Sequence, residues 1–356
     1  MNEGARRNLT VSLTSFPTRI QYVSQVLESL RRQTRPADRI VVYLSEDQFP
    51  GREADLPEAL RAQAAGGVLV HWVRGDLKPH KKYYYVFREY PDDLILTVDD
   101  DVIYPPEMIE RFEATHQAYP RAVAAGRTHL ITLDAEGEVN PYARWIQRTA
   151  GFEEGPAMQL FAVGVGGVLY DPKLFPPELL DEKAILETCP EADDLWLKAM
   201  ELAAGIPVVR VMKLPELVQF VPGSQDTSLY RSNLDQGRND EALARIRAWT
   251  KARFGRDVFL DGLADPAYPR IRGEEALYRY VNEDKKRQLM AIDKAVAKLK
   301  RDLKHQENQI RDLRNETAAL KQSIADIQAS RSYRIGNRLV RLAGRLTFRR
   351  TGKGAD

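Results

Sequence analysis

The chain has 356 residues, of which 43% are hydrophobic and 29% charged, enough apolar material for one large globular domain or two ordinary ones. Its single cysteine, Cys189, excludes an intramolecular disulfide and a multi-cysteine zinc site and fits a reducing cytoplasm. No run of about 18 apolar residues occurs, so no membrane-spanning helix is expected, and residues 1–8 lack the apolar core of a signal peptide.

The net charge of +2 is unevenly distributed along the chain. Residues 331–356 carry eight lysines and arginines against a single acid, a net charge of +7, so the rest of the chain carries −5. The basic character is therefore a property of the C-terminal tail.

The first half of the chain alternates short apolar runs with helical stretches. Strands are predicted over residues 9–15, 39–44, 68–73, 94–98 and 122–125. This alternation indicates βαβ units, so we expect an α/β domain with a mostly parallel sheet flanked by helices.

The fourth of these strands, residues 94–98, runs directly into three carboxylates, Asp99, Asp100 and Asp101, and two prolines soon after them prevent it from continuing. The end of a parallel strand lies at the carboxyl edge of the sheet, where open α/β folds bind ligands. Three adjacent carboxylates repel one another unless a cation is bound, and oxygen ligands favour Mg²⁺ or Mn²⁺ over zinc. The alternative is a solvated acidic turn.

Lys81 and Lys82 stand shortly before the acidic strand, at the end of a loop that begins at Gly75. Cations placed next to a metal-binding carboxylate group suggest that a polyanion is neutralised there, most simply a diphosphate. The alternative is a solvated helix start.

A second acidic group, Asp193 and Asp194, opens a predicted helix that ends at Gly205. One of these aspartates can cap the helix, and the other is then a candidate general base. Between the two acidic groups, the strand-like run 161–170 contains three glycines, which indicate either a bulge or a wall that approaches a ligand closely.

Taken together, these stretches resemble a GT-A-type glycosyltransferase, closest to the large family 2 group. In that group a strand ends in an acidic DxD motif, and an acidic pair opens a later helix with Ala-Gly further on. Asp99–Asp101 and Asp193–Asp194 followed by Ala204–Gly205 stand in the same arrangement, and the resemblance covers residues 9–215. It implies a GT-A (Rossmann-like) fold for this part of the chain.

The resemblance also implies roles for individual residues. Asp99 and Asp101 would hold Mn²⁺ or Mg²⁺, and Asp194, or alternatively Asp193, would be the catalytic base. The sequence departs from the family pattern at Glu46, since the family usually has adjacent aspartates at the end of the second strand. The residues expected to bind the donor are Thr14, Ser15, Pro17, Arg19, Glu46, Lys81, Lys82, Asp99, Asp100, Gly166 and Gly167.

We therefore expect a metal-dependent, inverting glycosyltransferase that moves a sugar from a nucleotide-diphosphate donor to a hydroxyl of a growing, lipid-linked cell-surface glycan, such as capsule or lipopolysaccharide. Inversion is expected because there is one base and no covalent nucleophile. One alternative is a catalytically degenerate transferase domain that acts as a membrane-associated coiled-coil scaffold. Another is a phosphatase of the haloacid dehalogenase type, whose motif Asp99-x-Asp101 imitates, although three predicted strands precede it here.

The C-terminal part of the chain has a different periodicity, with apolar residues separated by three and four positions in alternation. This spacing predicts a coiled coil, and hence a homo-oligomer of two or three chains; the alternative is one long helix folded back on the domain. Polar Gln306 and Thr317 interrupt the seam. Its apolar members are Leu289, Ile292, Val296, Leu299, Leu303, Ile310, Leu313, Leu320, Ile324 and Ile327.

Residues 331–350 form a basic amphipathic helix in which arginine and leucine or isoleucine occupy separate stripes. Such a helix suits an anionic membrane surface, and no nucleic-acid recognition fold accompanies it. We therefore expect a cytoplasmic protein at the inner face of the membrane, with a catalytic domain over 1–265, a linker over 266–285, a coiled coil over 286–328 and a basic tail over 329–356.

Overall fold

The computed structural model describes residues 6–147, 149, 155–211, 219–224, 237–264 and 273–350. Two compact units make up the chain, Met1–Val281 and Asn282–Asp356. The strands are β1 (Leu9–Thr14), β2 (Arg39–Ser45), β3 (Leu69–Val73), β4 (Leu94–Thr97), β5 (Val102–Ile103), β6 (Val123–Ala125), β7 (Thr128–Leu130), β8 (Leu160–Ala162), β9 (Val168–Tyr170), β10 (Val208–Arg210) and β11 (Gln219–Phe220).

The helices of the first unit alternate with these strands in the first half of the chain, as predicted, and cluster towards its end. They are α1 (Ile20–Arg31), α2 (Glu58–Ala65), α3 (Lys81–Glu89), α4 (Met108–Ala118), α5 (Glu182–Thr188), α6 (Asp193–Ala204), α7 (Arg238–Phe254) and α8 (Val258–Leu263). Two further helices follow, α9 (Gly273–Ala329) and α10 (Arg331–Arg350).

A seven-stranded sheet in the order β10-β6-β9-β4-β1-β2-β3 forms the centre of the first unit. All its pairings are parallel except those of β9, which runs antiparallel to both β4 and β6. The predicted fold class, a mostly parallel α/β sheet flanked by helices, is therefore confirmed. The strand order reverses between β1 and β4. Strands β2 and β3 extend the sheet beyond β1, and β9, β6 and β10 extend it in the opposite direction beyond β4.

Two hydrophobic cores cover the opposite faces of this sheet, because successive side chains of a strand point to opposite faces. In β2, for example, Val41 and Tyr43 belong to the core that includes α3, α6 and α7, whereas Val42 and Leu44 belong to the core that includes α1 and α4. The apolar stretches of the sequence are accounted for by this packing.

The run 161–170 is not one strand, as its pattern had suggested. Strand β8 ends at Ala162, a single 3-10 turn spans Gly164–Gly166, and β9 begins at Val168. Glycines have no side chain to pack on a sheet, and Gly167 takes a φ of +79°, which a strand residue with a side chain would avoid. The glycines therefore break the strand and allow two backbone segments to meet.

Helix α9 begins at Gly273, inside the predicted linker over 266–285, and continues to Ala329 without a break. Residues 274–285 contain neither proline nor glycine, so nothing in the sequence stops the helix before it reaches the heptads. Residues 265–272 lie outside the described part of the chain. Among the described helices none is long and apolar enough to cross a membrane.

Candidate active site

The acidic residues of interest lie at the carboxyl edge of the sheet, beside the point where the strand order reverses. Ser15 follows β1, and Asp99, Asp100 and Asp101 follow β4, so two neighbouring strands on either side of the reversal contribute side chains. Open α/β sheets bind ligands in the crevice at this position, since the connections on the two sides of it diverge.

Asp100 and Asp101 are buried and are neutralised by one arginine from the segment that leads into α1. The Nη2 atom of Arg19 lies 2.8 Å from Oδ1 of Asp100 and also contacts Asp101. The hydroxyl of Ser15 donates to Oδ2 of Asp100 at 2.5 Å. Burial nevertheless raises the pKa of Asp100 to about 7, despite the opposing effect of Arg19 and Ser15.

Lys82 joins the first acidic group to the second. Its Nζ lies 2.9 Å from Oδ2 of Asp193 and 3.1 Å from Oδ1 of Asp99, so one buried ammonium bridges two segments far apart in sequence. Burial acts to lower the pKa of Lys82, but the carboxylates of Asp193 and Asp99 outweigh it and hold that pKa well above its ordinary value. Lys82 therefore stays protonated.

Asp193 and Asp194 occupy the first turn of α6 and differ in environment. Burial would raise the pKa of Asp193, but Lys82 and the nearby His80 lower it below its ordinary value. Burial and the neighbouring Asp193 charge raise the pKa of Asp194 to about 8. Two adjacent carboxylates with pKa values driven apart are a common arrangement for an acid–base pair.

The glycine turn Gly164–Gly166, between β8 and β9, packs against Lys82 and Asp194. The backbone N–H of Gly164 donates to Oδ2 of Asp194 at 3.2 Å. A Cβ atom on Gly164 would lie 2.9 Å from Nζ of Lys82 and 3.3 Å from Oδ1 of Asp194. A side chain at this position would therefore displace the charged groups, and glycine is required by close approach.

His80 is wholly buried and fixes the loop before α6. Its Nε2 lies 2.8 Å from the carbonyl oxygen of Cys189, which can only accept, so Nε2 carries the hydrogen. The Nδ1 atom then accepts from the hydroxyl of Tyr83 at 2.9 Å. Burial lowers the pKa of His80 to about 4, so the ring is neutral at physiological pH.

Several residues predicted to bind the donor have other partners. Lys81 pairs with Asp76 and lies 3.4 Å from Oε1 of Gln48, so it is directed away from the aspartate triplet. Oε1 of Glu46 lies 2.8 Å from Arg52. Loop residues flanking buried strands often pair in this way, and the sequence does not show which partner is within reach.

The remaining donor-site predictions fall on the N-terminal segment and on the glycine turn. The hydroxyl of Thr14 donates to the carbonyl of Tyr43 at 2.8 Å, and Pro17 is exposed. A Cβ on Gly166 would lie 2.7 Å from the backbone nitrogen of Arg127, and one on Gly167 would touch the core residue Phe112. Of the glycines in this turn, Gly164 lies nearest the carboxylates.

Neither Asp193 nor Asp194 caps helix α6, contrary to one of the expected roles. Ala192 is the N-cap residue, without a side-chain hydrogen bond, and both aspartates lie inside the first turn. Asp193 instead forms an ion pair with Lys82, because an ion pair with a buried ammonium is stronger than a capping hydrogen bond. The helix ends as predicted at Gly205, which adopts the left-handed conformation with a φ of +66°.

A divalent cation fits this site by charge and by ligand type. Five aspartates lie here together with Lys82 and Arg19, and burial, reinforced by neighbouring carboxylates, raises the pKa values of Asp100 and Asp194. Within the described ranges no three His, Cys, Asp or Glu side chains are grouped as a complete metal site. Mg²⁺ is commonly held by one or two carboxylates together with substrate phosphates.

Two residues that shape this site, Gly164 and His80, are not among the site residues predicted from the sequence. Gly164 belongs to a glycine-rich run whose spacing marks the turn, so a signal for it was present. His80 gave no signal, since a lone histidine in a loop is common in any fold.

No family profile and no curated protein matches this chain. Solved structures similar to it include S. aureus TarS in complex with UDP, with 15% identity, a TM-score of 0.36 and coverage of 58% of each chain. Another is CMP:2-keto-3-deoxy-manno-octonic acid synthetase with CTP, with 14% identity, a TM-score of 0.36 and coverage of 65% of this chain and 99% of that one.

A third is glucosyl-3-phosphoglycerate synthase from Mycobacterium tuberculosis with Mn²⁺, UDP and phosphoglyceric acid, with 15% identity, a TM-score of 0.25 and coverage of 34% of this chain and 43% of that one. This chain thus spans little more than half of the TarS fragment it resembles. The function proposed below rests on the geometry of the site.

Proposed function

We propose that this protein is a metal-dependent, inverting glycosyltransferase that uses a nucleotide-sugar donor. The observation that carries the proposal is the meeting of two acidic groups at the strand-order reversal, Asp99–Asp101 after β4 and Asp193–Asp194 on α6, joined by Lys82. Sugar transfer needs one group that neutralises the departing diphosphate and another that takes a proton from the acceptor, and this pair supplies both.

The first acidic group is the donor side in this proposal. Asp99, whose side chain is 29% exposed, and Asp101 would hold Mn²⁺ or Mg²⁺, which supplies positive charge for the departing diphosphate when bound. Asp101 now contacts Arg19, so that guanidinium would move from Asp101 or share it with the ion. Ser15, Asp100 and Arg19 would shape the wall beside the nucleotide.

The second acidic group is the acceptor side. Asp194 is the proposed base, because Asp193 is held ionised by Lys82 while Asp194, with a pKa of about 8, has the higher proton affinity. The N–H of Gly164 orients its carboxylate. With one base and no covalent nucleophile, the transfer would invert the anomeric carbon.

The decisive experiment is a binding and turnover screen of nucleotide sugars on the full chain with Mn²⁺ or Mg²⁺. We expect Asp101→Ala to lose metal-dependent donor binding, and Asp194→Ala to keep binding but lose about 100-fold or more in turnover. Release of a nucleoside diphosphate from the donor identifies glycosyl transfer, whereas release of pyrophosphate from a nucleoside triphosphate, supplied in a parallel assay with a sugar or sugar phosphate, would point to nucleotidyl transfer. If the wild type binds no donor, the scaffold alternative gains support instead.

The C-terminal helices extend the proposal to partners and location. The described seam residues of α9, such as Leu299, Leu313 and Ile324, are exposed in the single chain. We propose that a second copy covers them in a coiled coil, and that α10, with exposed Arg334 and Arg338, binds anionic membrane surface. A lipid-linked glycan acceptor at the inner face of the cell membrane would then be within reach.

A further inference from the structure

Lys82 is a buried lysine whose ammonium lies between two acidic segments of the chain. It lies in the first turn of α3, and its Nζ lies between Asp99, which follows β4, and Asp193, which opens α6. Three separate elements are thus tied together through one atom, and the side chain is only 8% exposed. Breaking a buried ion pair by removing one partner leaves an uncompensated charge, so such a bridge holds its members firmly.

The backbone of Lys82 is also fixed. The hydroxyl of Ser12, a fully buried residue in the middle of β1, donates to the carbonyl oxygen of Lys82 at 2.6 Å. Since β1 is an inner strand paired with β4 on one side and β2 on the other, the backbone of Lys82 is anchored to the interior of the sheet.

The ammonium is enclosed from a third direction by Gly164. A Cβ on that glycine would lie 2.9 Å from Nζ of Lys82 and 3.5 Å from Oδ1 of Asp99. The glycine turn therefore packs directly on the bridge, and the ammonium has no room to move toward it. Lys81 differs, because it pairs with Asp76 instead.

We infer that Lys82 is a positioning residue that fixes the distance between the donor side and the base of the site, rather than a ligand for the diphosphate. This inference rests on the proposed function. Its charge is already shared by Asp99 and Asp193, and Asp193 adjoins Asp194 in the same helical turn. Holding Asp193 therefore holds the proposed base, and small displacements of reacting groups are costly in rate.

The structural part is tested by a thermal-unfolding cycle on the full chain, with Lys82→Met, Asp193→Asn and the double variant. The bridge predicts that the double variant loses several degrees less in Tm than the two single losses together. Lys81→Met combined with Asp193→Asn is the matched control, and its losses should add. If the Tm losses of Lys82→Met and Asp193→Asn simply add in the double variant, the inference is overturned, whether or not the protein transfers sugar.

The catalytic part is tested by steady-state kinetics and donor titration. For Lys82→Met we expect kcat to fall by about 100-fold while the donor Kd changes less than about threefold. Gly164→Ala should give the same signature, because the added methyl group displaces the ammonium while the lysine is retained. Lys173→Met, which removes an exposed lysine paired with Asp92, should leave both values unchanged.

The outcomes separate the two proposals. A large rise in donor Kd with unchanged kcat in Lys82→Met would make Lys82 a diphosphate ligand and overturn the inference. If the wild type transfers no sugar from any donor, the proposed function is overturned. The unfolding cycle would still decide whether Lys82 bridges the two acidic groups. Should Lys82→Met fail to fold, Gly164→Ala carries the kinetic test.

Discussion

At the scale of single residues, the site is controlled by an imbalance of charge. Asp100 and Asp194 hold their protons at higher pH than an ordinary aspartate, because burial and neighbouring carboxylates disfavour their charged forms. Asp193 behaves in the opposite way, since Lys82 stabilises its charge. The same chemical group is thus ionised in one position and holds its proton to higher pH in the next.

This imbalance predicts how stability depends on pH. Asp194, with a pKa of about 8 in the folded protein against an ordinary 3.8, binds more proton when folded than when unfolded. Stability therefore falls as pH rises through this range. Below about pH 6.5 the buried His80 acts in the opposite direction, because its folded pKa of about 4 lies below its ordinary value.

The test range is therefore pH 7 to 9, with metal removed by chelation. We expect the free energy of unfolding to fall by about 1 kcal/mol per pH unit near pH 7. Asp194→Asn should reduce that slope to the part that Asp100, with a pKa of about 7, contributes in the same direction, and it should be more stable than the wild type at high pH. Denaturant unfolding at several pH values measures this, and a wild-type slope of zero or of opposite sign would contradict the assigned protonation.

At the scale of elements, the glycine turn between β8 and β9 is the feature that shapes the site. It brings two backbone segments so close that a Cβ on Gly126 would lie 2.2 Å from the carbonyl oxygen of Gly166. This contact holds the turn in place, so that Gly164 can reach the carboxylates from the other side.

Substitution of Gly126 tests that packing. Gly126→Ala is expected to destabilise the protein by roughly 1–3 kcal/mol, because backbone atoms cannot move aside as a flexible side chain can. Gly66→Ala is the control, since Gly66 is exposed, has a negative φ of −89°, and its nearest neighbour is the mobile end of Arg31. Equal Tm values for the two variants in thermal unfolding would show that the turn is not closely packed.

At the scale of the whole molecule, the chain joins an α/β unit to two helices whose described apolar side chains are largely exposed. The described seam residues of α9 are between 41% and 66% exposed, which is costly in water unless a partner buries them. The heptad spacing matches another copy of the same helix better than a globular surface. The proposed oligomerisation through α9 and the proposed membrane binding through α10 can therefore be tested separately.

The coiled coil is tested by light scattering on the full chain. Leu313→Asp places a charge in the centre of the seam, so we expect the oligomer to dissociate to monomer at micromolar concentration. Asn315→Asp, two residues away and outside the seam, is the control and should leave the mass unchanged. A wild-type protein that is already monomeric would favour the single long helix.

The tail is tested by flotation with vesicles of neutral or anionic lipid. The wild type should float with anionic vesicles only, and binding should weaken at high salt because the attraction is partly electrostatic. Arg334→Glu with Arg338→Glu should abolish it, since two charges on the basic stripe are reversed. Leu339→Ala separates the apolar contribution, and equal binding to neutral vesicles would contradict the electrostatic part.

The sequence by itself determined five strands of the main sheet, namely β1, β2, β3, β4 and β6, and the long C-terminal helix. Apolar runs such as 94–98 could only be buried strands, the heptad spacing from Leu289 onward could only be sustained by a helix, and Gly205 marked the end of α6. These features depend on local periodicity and on the backbone preferences of single residues, both of which can be read directly from the sequence. The position of Asp99–Asp101 at a strand end followed from the same information.

Only the tertiary structure decided which charges meet. Lys81 and Lys82 are adjacent and chemically identical, yet Lys81 pairs with Asp76 and Lys82 with Asp99 and Asp193. Their directions differ because successive residues of a helix project about 100° apart, and only the packing of α3 on the sheet fixes which direction faces the site. Likewise Gly164, rather than Gly166 or Gly167, approaches the carboxylates, because long-range packing between strands sets the path of that turn.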